Sequence, residues 1–332
     1  VTANNKLCGS IEIGVGSTLN LGTTTGHNFN TYLTGNVTGI GTLRISSSGA
    51  TAQFPAGDFG LFLGQNGGTV DYFNTGGQDF TIPLTSAAPT SAALGNYYNL
   101  TLSPTNGRTI TLPGRDLTIY NNLNIVGASA TARALTNASA IRTINILGNI
   151  NVNAGNFQYQ NGSIQNLLVA GNASIASAAV FDVANSGTGV NNTLSINGSL
   201  TNNGTFDMRA SATRICNVSF TGSSNTAITG TTGTLTEFNL LTINKGNNQT
   251  PELNVDVAGT LTTPSDSWLN IQNGTFKFSK ATTITLTNVG GNIFTIAPTA
   301  QLSVNNASAI INIGNVASDA SDLILAGKLQ IL

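Results

Sequence analysis

The sequence has little charge, few aromatic side chains, one histidine and two cysteines. Of its 332 residues only 8% are charged, against about 25% in an ordinary soluble domain. Twelve basic residues are balanced by thirteen acidic ones, and no run of Lys and Arg occurs. The chain therefore lacks the basic surface that releases counterions from a nucleic-acid backbone, and we expect no nucleic-acid partner.

Long apolar segments are also missing. No stretch approaches the ~20 residues that span a bilayer as a helix, because Asn, Gly or Thr interrupts each candidate. We therefore expect no membrane span. The high net charge of disordered chains is missing too, since the net charge is −1 and Val, Ile, Leu and Thr occur throughout. The chain should fold.

The two cysteines, Cys8 and Cys216, lie far apart in the sequence. Two are too few for a disulfide scaffold, and their spacing does not fit a zinc site. We expect each to be a small buried side chain, with the redox compartment left open. No pattern indicates a metal or a cofactor, so we expect neither.

What the sequence has is alternation of apolar and small polar residues over four to six positions, which indicates β-strands. Turn pairs such as Asn66-Gly67 and Asn161-Gly162 separate these segments. Helical spacing is essentially absent, so we predict an all-β fold. The clearest strand segments are Thr42-Leu-Arg-Ile45, Tyr98-Asn-Leu-Thr-Leu102, Thr109-Ile-Thr-Leu112, Thr143-Ile-Asn-Ile146, Leu253-Asn-Val-Asp-Val257, Thr275-Phe-Lys-Phe278 and Ile293-Phe-Thr-Ile296.

A short motif recurs along the chain, in which one residue separates a glycine from an apolar residue on each side. Its six copies are centred on Gly35, Gly148, Gly171, Gly198, Gly259 and Gly327. The spacing of the glycines fits coils of about 20–25 residues, the repeat length of solenoids, and predicts roughly fourteen coils. We therefore predict a right-handed parallel β-helix that runs as one unit over residues 1–332.

We interpret each of these glycines as a corner of the coil. A strand ends on an inward apolar residue, the glycine turns the chain with a positive φ, and the next strand begins with another inward residue. Coils then stack at about 4.8 Å and together form the core. Asn, Ser and Thr can form ladders with like residues of the next coil, which explains the low charge.

An array of β-sandwich domains is the competing architecture, because it also gives alternating strands and polar turns. The 6% aromatic content, the single Trp268 and the absence of a Pro-rich linker favour the β-helix. The chain starts at Val1 without an initiator Met and ends on the strand-like Leu329-Gln-Ile-Leu332. We therefore expect a fragment or a processed product, whose solenoid continues in further repeats or associates end to end.

One block of the sequence resembles a module that recurs in very large surface proteins of the Bacteroidetes. Residues 68–126 carry the resemblance, and residues 217–271 match it loosely. The resemblance implies adhesins, including gliding adhesins, that the type IX secretion system exports to the cell surface. The family's C-terminal sorting domain is not in this chain. The motifs that carry the resemblance are Gly68-Thr-Val-Asp-Tyr-Phe73, Phe80-Thr-Ile-Pro83, Tyr97-Tyr-Asn-Leu-Thr-Leu102, Thr109-Ile-Thr-Leu-Pro113 and Leu117-Thr-Ile-Tyr-Asn-Asn-Leu-Asn-Ile125.

Residues with catalytic chemistry are sparse. His27 has no carboxylate or nucleophile near it in the sequence, so we predict no catalytic role. Glycoside hydrolysis needs two carboxylates about 5–9.5 Å apart, and we interpret the nearest pairs as solvated strand or turn residues. Arg108, Arg115 and Asp116 form the closest group that an acidic sugar could bind. The pairs are Asp71 with Asp79, Asp256 with Glu252, and Asp319 with Asp322.

We therefore predict a protein without catalytic or cofactor-binding residues, located outside the cell or on its surface. It would present an extended rigid face to a surface polysaccharide, a protein or an abiotic surface. The alternative is a carbohydrate-active β-helix, a polysaccharide lyase or hydrolase that acts on extracellular polysaccharide. Outward aromatic side chains such as Tyr98 and Tyr120 would favour sugar binding, although core packing explains most of the aromatics.

Overall fold

The computed structural model describes residues 1–29, 37–75, 77–265, 267–287, 293–314 and 323–332. These residues form parallel strands stacked as a β-solenoid, and the predicted fold class is confirmed. The winding sense stays a prediction. Among the described residues the single α-helix is α1 (Gly60–Leu63). The strands up to this helix are β1 (Ile11–Glu12), β2 (Thr18–Gly22), β3 (Val37–Thr38) and β4 (Thr42–Ile45).

The middle of the chain is the most regular part, with three strands in almost every coil. Its strands are β5 (Thr69–Phe73), β6 (Phe80–Thr81), β7 (Asn96–Tyr97), β8 (Asn99–Ser103), β9 (Thr109–Thr111), β10 (Leu117–Ile119), β11 (Leu123–Val126), β12 (Arg133–Leu135), β13 (Arg142–Ile146), β14 (Ile150–Ala154), β15 (Asn156–Tyr159), β16 (Gln165–Val169), β17 (Ala173–Ile175), β18 (Val180–Val183), β19 (Asn191–Ile196), β20 (Leu200–Asn202) and β21 (Thr205–Asp207).

The same three-strand pattern continues toward the C-terminal residues. These strands are β22 (Ile215–Phe220), β23 (Thr226–Gly230), β24 (Leu235–Glu237), β25 (Leu241–Asn244), β26 (Glu252–Val257), β27 (Thr260–Thr262), β28 (Leu269–Phe278), β29 (Thr283–Leu286), β30 (Phe294–Ile296), β31 (Ala300–Val304), β32 (Ile310–Ile313), β33 (Leu323–Leu325) and β34 (Lys328–Ile331). The alternating segments predicted from the sequence coincide with, or overlap, strands β4, β8, β9, β13, β26, β28 and β30.

The strands form three parallel ladders, which we name face 1, face 2 and face 3. Each regular coil passes through them in that order. Face 1 contains β2, β4, β5, β8, β11, β14, β17, β20, β23, β26, the second half of β28, β31 and β34. Face 2 contains β6, β9, β12, β15, β18, β21, β24 and β27. Face 3 contains β7, β10, β13, β16, β19, β22, β25 and the first half of β28.

The coils are longer and fewer than the sequence predicted. Along face 1, hydrogen-bonded partners such as Leu100 and Leu123 are 23 residues apart, whereas Val70 and Leu100 are 30 apart. The stack therefore makes about twelve turns. The prediction of roughly fourteen coils of 20–25 residues was wrong in number because the connections between faces are longer than the tight glycine corners from which it was derived.

Inward side chains of the three faces form one hydrophobic core that extends from Ile13 to Leu302. On face 2 this core contains an aromatic row, in which each ring contacts a ring of the next coil. The ring centroids of Phe157 and Phe181 are 5.1 Å apart, and those of Phe181 and Phe206 are 5.7 Å apart. Such pairs contribute about 0.5–1.5 kcal/mol beyond the area they bury. The row therefore helps to fix the register of face 2.

The predicted corner glycines lie between strands, but at two different corners. Gly148, Gly171, Gly198 and Gly327 connect face 3, or the strand in its place, to face 1, whereas Gly259 connects face 1 to face 2. Gly35 lies outside the described residues. The positive φ that we expected is wrong for all five, because none has its φ in that region.

Close approach of the backbones explains these glycines instead. The N–H of Gly171 donates to the carbonyl oxygen of Gly148 at 2.8 Å, and the N–H of Gly198 donates to that of Gly171 at 2.9 Å. A Cβ at Gly171 would lie 2.6 Å from the oxygen of Gly148. Only glycine lets the corners stack this closely.

A polar ladder follows the corner between face 3 and face 1. We name the residues that begin the face 1 strands here, Asn99, Asn122, Asn149, Asn172 and Ser199, the corner column. Each side-chain oxygen accepts a hydrogen bond from the backbone N–H of the next coil, over 3.2, 2.9, 2.7, 2.8 and 3.1 Å in turn. The column satisfies backbone groups that the strand ladders leave unpaired.

Candidate functional site

The register of face 2 brings polar side chains from four consecutive coils into one line. Gln158 pairs with Asp182, Asp182 with Asp207, and Asp207 with Glu237. We name these four residues the face 2 column. Their neighbours Phe157, Phe181 and Phe206 are fully buried, and side chains alternate along a strand, so the column points outward.

Two amide side chains hold the carboxylate of Asp182. Gln158 Nε2 donates to Asp182 Oδ1 at 3.0 Å, and Asn156 Nδ2 donates to Asp182 Oδ2 at 3.4 Å. One coil further on, the backbone N–H of Arg209 donates to Asp207 Oδ1 at 3.0 Å. Both aspartate side chains are thereby oriented at the surface.

The environment of the column favours protonated carboxyl groups. Burial raises the pKa of Asp182 to about 6, and the charge of Asp207 adds to the rise, although the hydrogen bonds from Gln158 and Asn156 oppose it. Burial also raises the pKa of Glu237, and the charge of Asp207 adds to that effect. The cause is that carboxylates on adjacent coils repel one another in partly desolvated positions.

A polar groove of about 480 Å³ lies over this part of the column. Arg133 and Asn156 contribute from one row of outward side chains, and Arg209 and Asn185 come from the loops that follow β21 and β18. Asn156 is only 7% exposed. Its Oδ1 and the Nε of Arg209 are buried atoms without a hydrogen-bond partner.

The groove can bind groups that both donate and accept hydrogen bonds. It offers acceptors on Asp182 and Asp207 and donors on Arg133, Arg209 and Gln158. The positions of Asp182 and Asp207 on adjacent coils put their side chains about one strand spacing apart, roughly 4.8 Å. Retaining glycosidases hold two carboxyl groups at about that separation.

The carboxylate pairs considered from the sequence do not assemble into a site. Asp71 is buried on face 1, where its Oδ2 lies 2.6 Å from Arg44 Nε and its Oδ1 accepts a hydrogen bond from Ser103 Oγ at 2.7 Å. Asp79 precedes face 2 and accepts the backbone N–H of Thr109 at 2.9 Å. The two aspartates therefore occupy different faces.

The remaining sequence candidates are also apart or engaged in structural contacts. Glu252 and Asp256 lie four residues apart on strand β26, about 13 Å along it, and Glu252 is 3.6 Å from Lys277 Nζ. Asp319 and Asp322 lie outside the described residues. In the group of Arg108, Arg115 and Asp116, Arg115 donates to the carbonyl of Leu84 and Asp116 accepts the backbone N–H of Thr143.

His27 is a buried structural residue, with 2% of its surface exposed. Its Nδ1 accepts the backbone N–H of Lys6 at 3.2 Å, and its Nε2 lies 2.8 Å from Thr24 Oγ1. Burial lowers the pKa of His27, and the positive charges of the N-terminus and Lys6 lower it further. Both ring nitrogens are engaged, so the ring is not placed to act as a base.

Both cysteines are free thiols. Cys216 is fully buried, as the sequence predicted, whereas Cys8 is only partly buried. Burial raises the pKa of the Cys216 thiol far above its usual range. This thiol therefore stays protonated and unreactive at neutral pH.

The aromatic side chains divide between core and surface. Tyr72, Tyr97 and Tyr159 are fully buried. Tyr98 and Tyr120, on adjacent coils beside the corner column, are half-buried. A separate apolar cavity of about 230 Å³ lies beside α1, lined by Phe54, Phe59, Leu63 and Leu94 among others.

Sequence reasoning missed the face 2 column because its members are far apart along the chain. The aligned segments Phe157-Gln-Tyr159 and Phe206-Asp-Met208 already put Gln158 and Asp207 at one position of the repeat. The coil between them, Val180-Phe181-Asp182-Val183, continues the same pattern. Stacking these three segments would have shown the column.

The fold defines the class of this protein as a parallel β-solenoid. Comparison with protein-family models, with curated proteins and with solved structures found no match to this chain. Within the described residues, no helix has the length and apolar character needed to cross a membrane. Across the same residues, no three His, Cys, Asp or Glu side chains are grouped closely enough to bind a metal ion.

Proposed function

We propose that this chain is a non-enzymatic structural or adhesive protein that acts outside the cell or on its surface. Its mechanism is contact over a long, rigid face. The observation that carries the proposal is the ordered, mostly uncharged exterior of the stack. On face 1, Asn151 Nδ2 donates to Asn124 Oδ1 at 2.9 Å, and Ser174 Oγ donates to Asn151 Oδ1 at 2.9 Å.

Such ladders favour binding over an extended surface for a physical reason. Each side chain in a ladder is held by its neighbours, so it loses little further conformational freedom when a partner binds. A regular polar face also repeats the same groups at each coil, which suits a partner that is itself repetitive. The extracellular location rests on the resemblance to exported surface adhesins.

Adsorption experiments test this proposal. The protein is passed over sensors coated with polysaccharide, with protein or with a bare mineral or polymer surface, and the soluble phase is assayed for released sugar. We expect adsorption to at least one surface without release of oligosaccharides. Release of soluble oligosaccharides, or failure to adsorb to every surface, would contradict the proposal.

A carbohydrate-active enzyme is the second candidate, and one observation favours it. Asp182 has a pKa of about 6, as a general acid requires, and it stands next to Asp207 on the adjacent coil. If the groove cleaves glycans, Asp182→Asn and Asp207→Asn should each abolish the release of oligosaccharides. A polysaccharide panel incubated with the unmodified protein separates the two candidates directly.

A further inference from the structure

We propose that the groove over the face 2 column binds a neutral polysaccharide chain lying along the solenoid axis. This inference rests on the proposed adhesive function and names its partner class. Three features of the groove carry it: the direction of the column, the balance of charge and two unsatisfied polar atoms.

The direction of the column fits an extended glycan. Gln158, Asp182 and Asp207 lie on three successive coils, so the line that joins them runs along the axis of the stack. Adjacent coils are about 4.8 Å apart, close to the length that one pyranose unit adds to an extended chain. Successive sugar rings would therefore meet equivalent side chains on successive coils.

The charges in the groove favour a neutral partner. Two guanidinium groups, Arg133 and Arg209, line it together with two carboxyl groups, Asp182 and Asp207. The groove therefore has no excess of positive charge that would select an acidic polysaccharide. Sugar hydroxyls donate to carboxylates and accept from guanidinium and amide groups, so a neutral glycan matches both kinds of side chain.

Two polar atoms of the groove lining lack partners. Asn156, which is more than nine-tenths buried, leaves its Oδ1 unsatisfied, and so does Arg209 with its Nε. Unpaired buried polar atoms are uncommon in folded proteins and point to a missing partner. Asn156 occupies an outward position of strand β15, so a hydroxyl seated in the groove lies on the side to which this residue points.

Affinity electrophoresis and titration calorimetry on the full chain test the inference. The probes are neutral β-glucan, xylan and galactomannan with their hexasaccharides, and alginate and hyaluronan as acidic comparisons. The variants are Asp207→Asn, Gln158→Ala and Arg209→Ala. Thr201→Ala is the matched control, because Thr201 is exposed on face 1 of the coil that contains Asp207. Thermal unfolding verifies that each variant folds.

We expect one of the neutral glycans to bind, and each groove variant that folds to weaken binding about ten-fold or more, as loss of a hydrogen bond to a charged group does. Thr201→Ala should bind normally. Binding of acidic glycans alone, binding that no groove variant affects, or no binding to any probe would overturn the inference. Adsorption to protein or abiotic surfaces would leave the proposed function standing in those cases. Cleavage of a bound neutral glycan would support the groove and overturn the non-enzymatic function.

Discussion

At the scale of single residues, Gly171 shows how closely the coils approach. Its N–H bonds to the oxygen of Gly148, and any Cβ on it would meet that oxygen at 2.6 Å and the side-chain oxygen of Asn149 at 2.4 Å. Neither contact can be relieved without moving backbone, because the corner of the neighbouring coil is packed in the same way.

We therefore predict that Gly171→Ala lowers the free energy of unfolding by about 1–3 kcal/mol, the usual effect of overpacking. Urea unfolding followed by circular dichroism measures it. Gly14→Ala is the control, since a Cβ there meets only Ser17 Oγ at 3.9 Å and its φ is not positive. Equal effects of the two substitutions would refute the close-approach explanation.

Asp182 should make the stability of the protein depend on pH. Its pKa is about 6 in the folded protein and about 3.9 in an unfolded chain. The folded state therefore binds this proton more tightly, so the associated stability is present below about pH 4 and is lost as the pH rises through about 6. The lowered pKa of His27 has the opposite sign, because its stability is lost as the pH falls below about 6.5.

We predict that Asp182→Asn removes the Asp182 part of this dependence and stabilises the protein at pH 7.5 by about 1–3 kcal/mol. The difference between the two proteins in urea unfolding from pH 4 to pH 8 isolates it from His27. A turn of the Asn156 amide would direct its unpaired Oδ1 to the new side-chain NH₂. A difference that stays constant across this range would contradict the raised pKa.

At the scale of elements, the corner column determines how one coil holds the next. The oxygen of Asn149 accepts the backbone N–H of Asn172, and the oxygen of Asn172 accepts that of Ser199. These contacts lie just before the face 1 strands, where strand pairing does not yet serve the N–H groups. Each therefore caps a strand in the way a side chain caps a helix.

We predict that Asn149→Ala lowers the free energy of unfolding by about 1–2 kcal/mol, because the N–H of Asn172 loses its acceptor. Asn149→Asp keeps an oxygen at the same place and should recover most of the loss. Chemical unfolding of the three proteins provides the measurement. If the aspartate variant is no better than the alanine variant, the hydrogen bond is not the cause.

The elements also show which features the sequence predicts. Strands and tight corners depend on neighbouring residues, so segments such as Thr42-Leu-Arg-Ile45 and the corner at Gly148 are predictable. The motif at Gly259 looks the same but turns a different corner, because local sequence does not indicate which faces a turn connects. The face 2 column depends on register across coils of unequal length, 25 residues from Asp182 to Asp207 and 30 to Glu237. Carboxylates near each other in sequence, such as Asp71 and Asp79, were therefore the wrong pairs.

At the scale of the whole molecule, the stack places every functional group by its coil and face. Twelve turns at about 4.8 Å make an axis of roughly 60 Å. One buried core extends along it from Ile13 to Leu302. Each coil contacts mainly its neighbours, so the exterior repeats along the axis. A glycan-binding column on face 2 is then a property of register as much as of residue type.

Disulfide cross-linking across face 2 tests this register most directly. Asp182→Cys and Asp207→Cys are combined in a Cys8→Ser background, and Asp182→Cys with Thr201→Cys is the control pair on two different faces. Register partners lie about 4.8 Å apart, within the roughly 4.4–6.8 Å that a disulfide spans. Oxidation followed by peptide mass spectrometry should show the link between residues 182 and 207 and none between residues 182 and 201. No link in the first pair, or an equal link in the control, would contradict the stacked solenoid and its face 2 column.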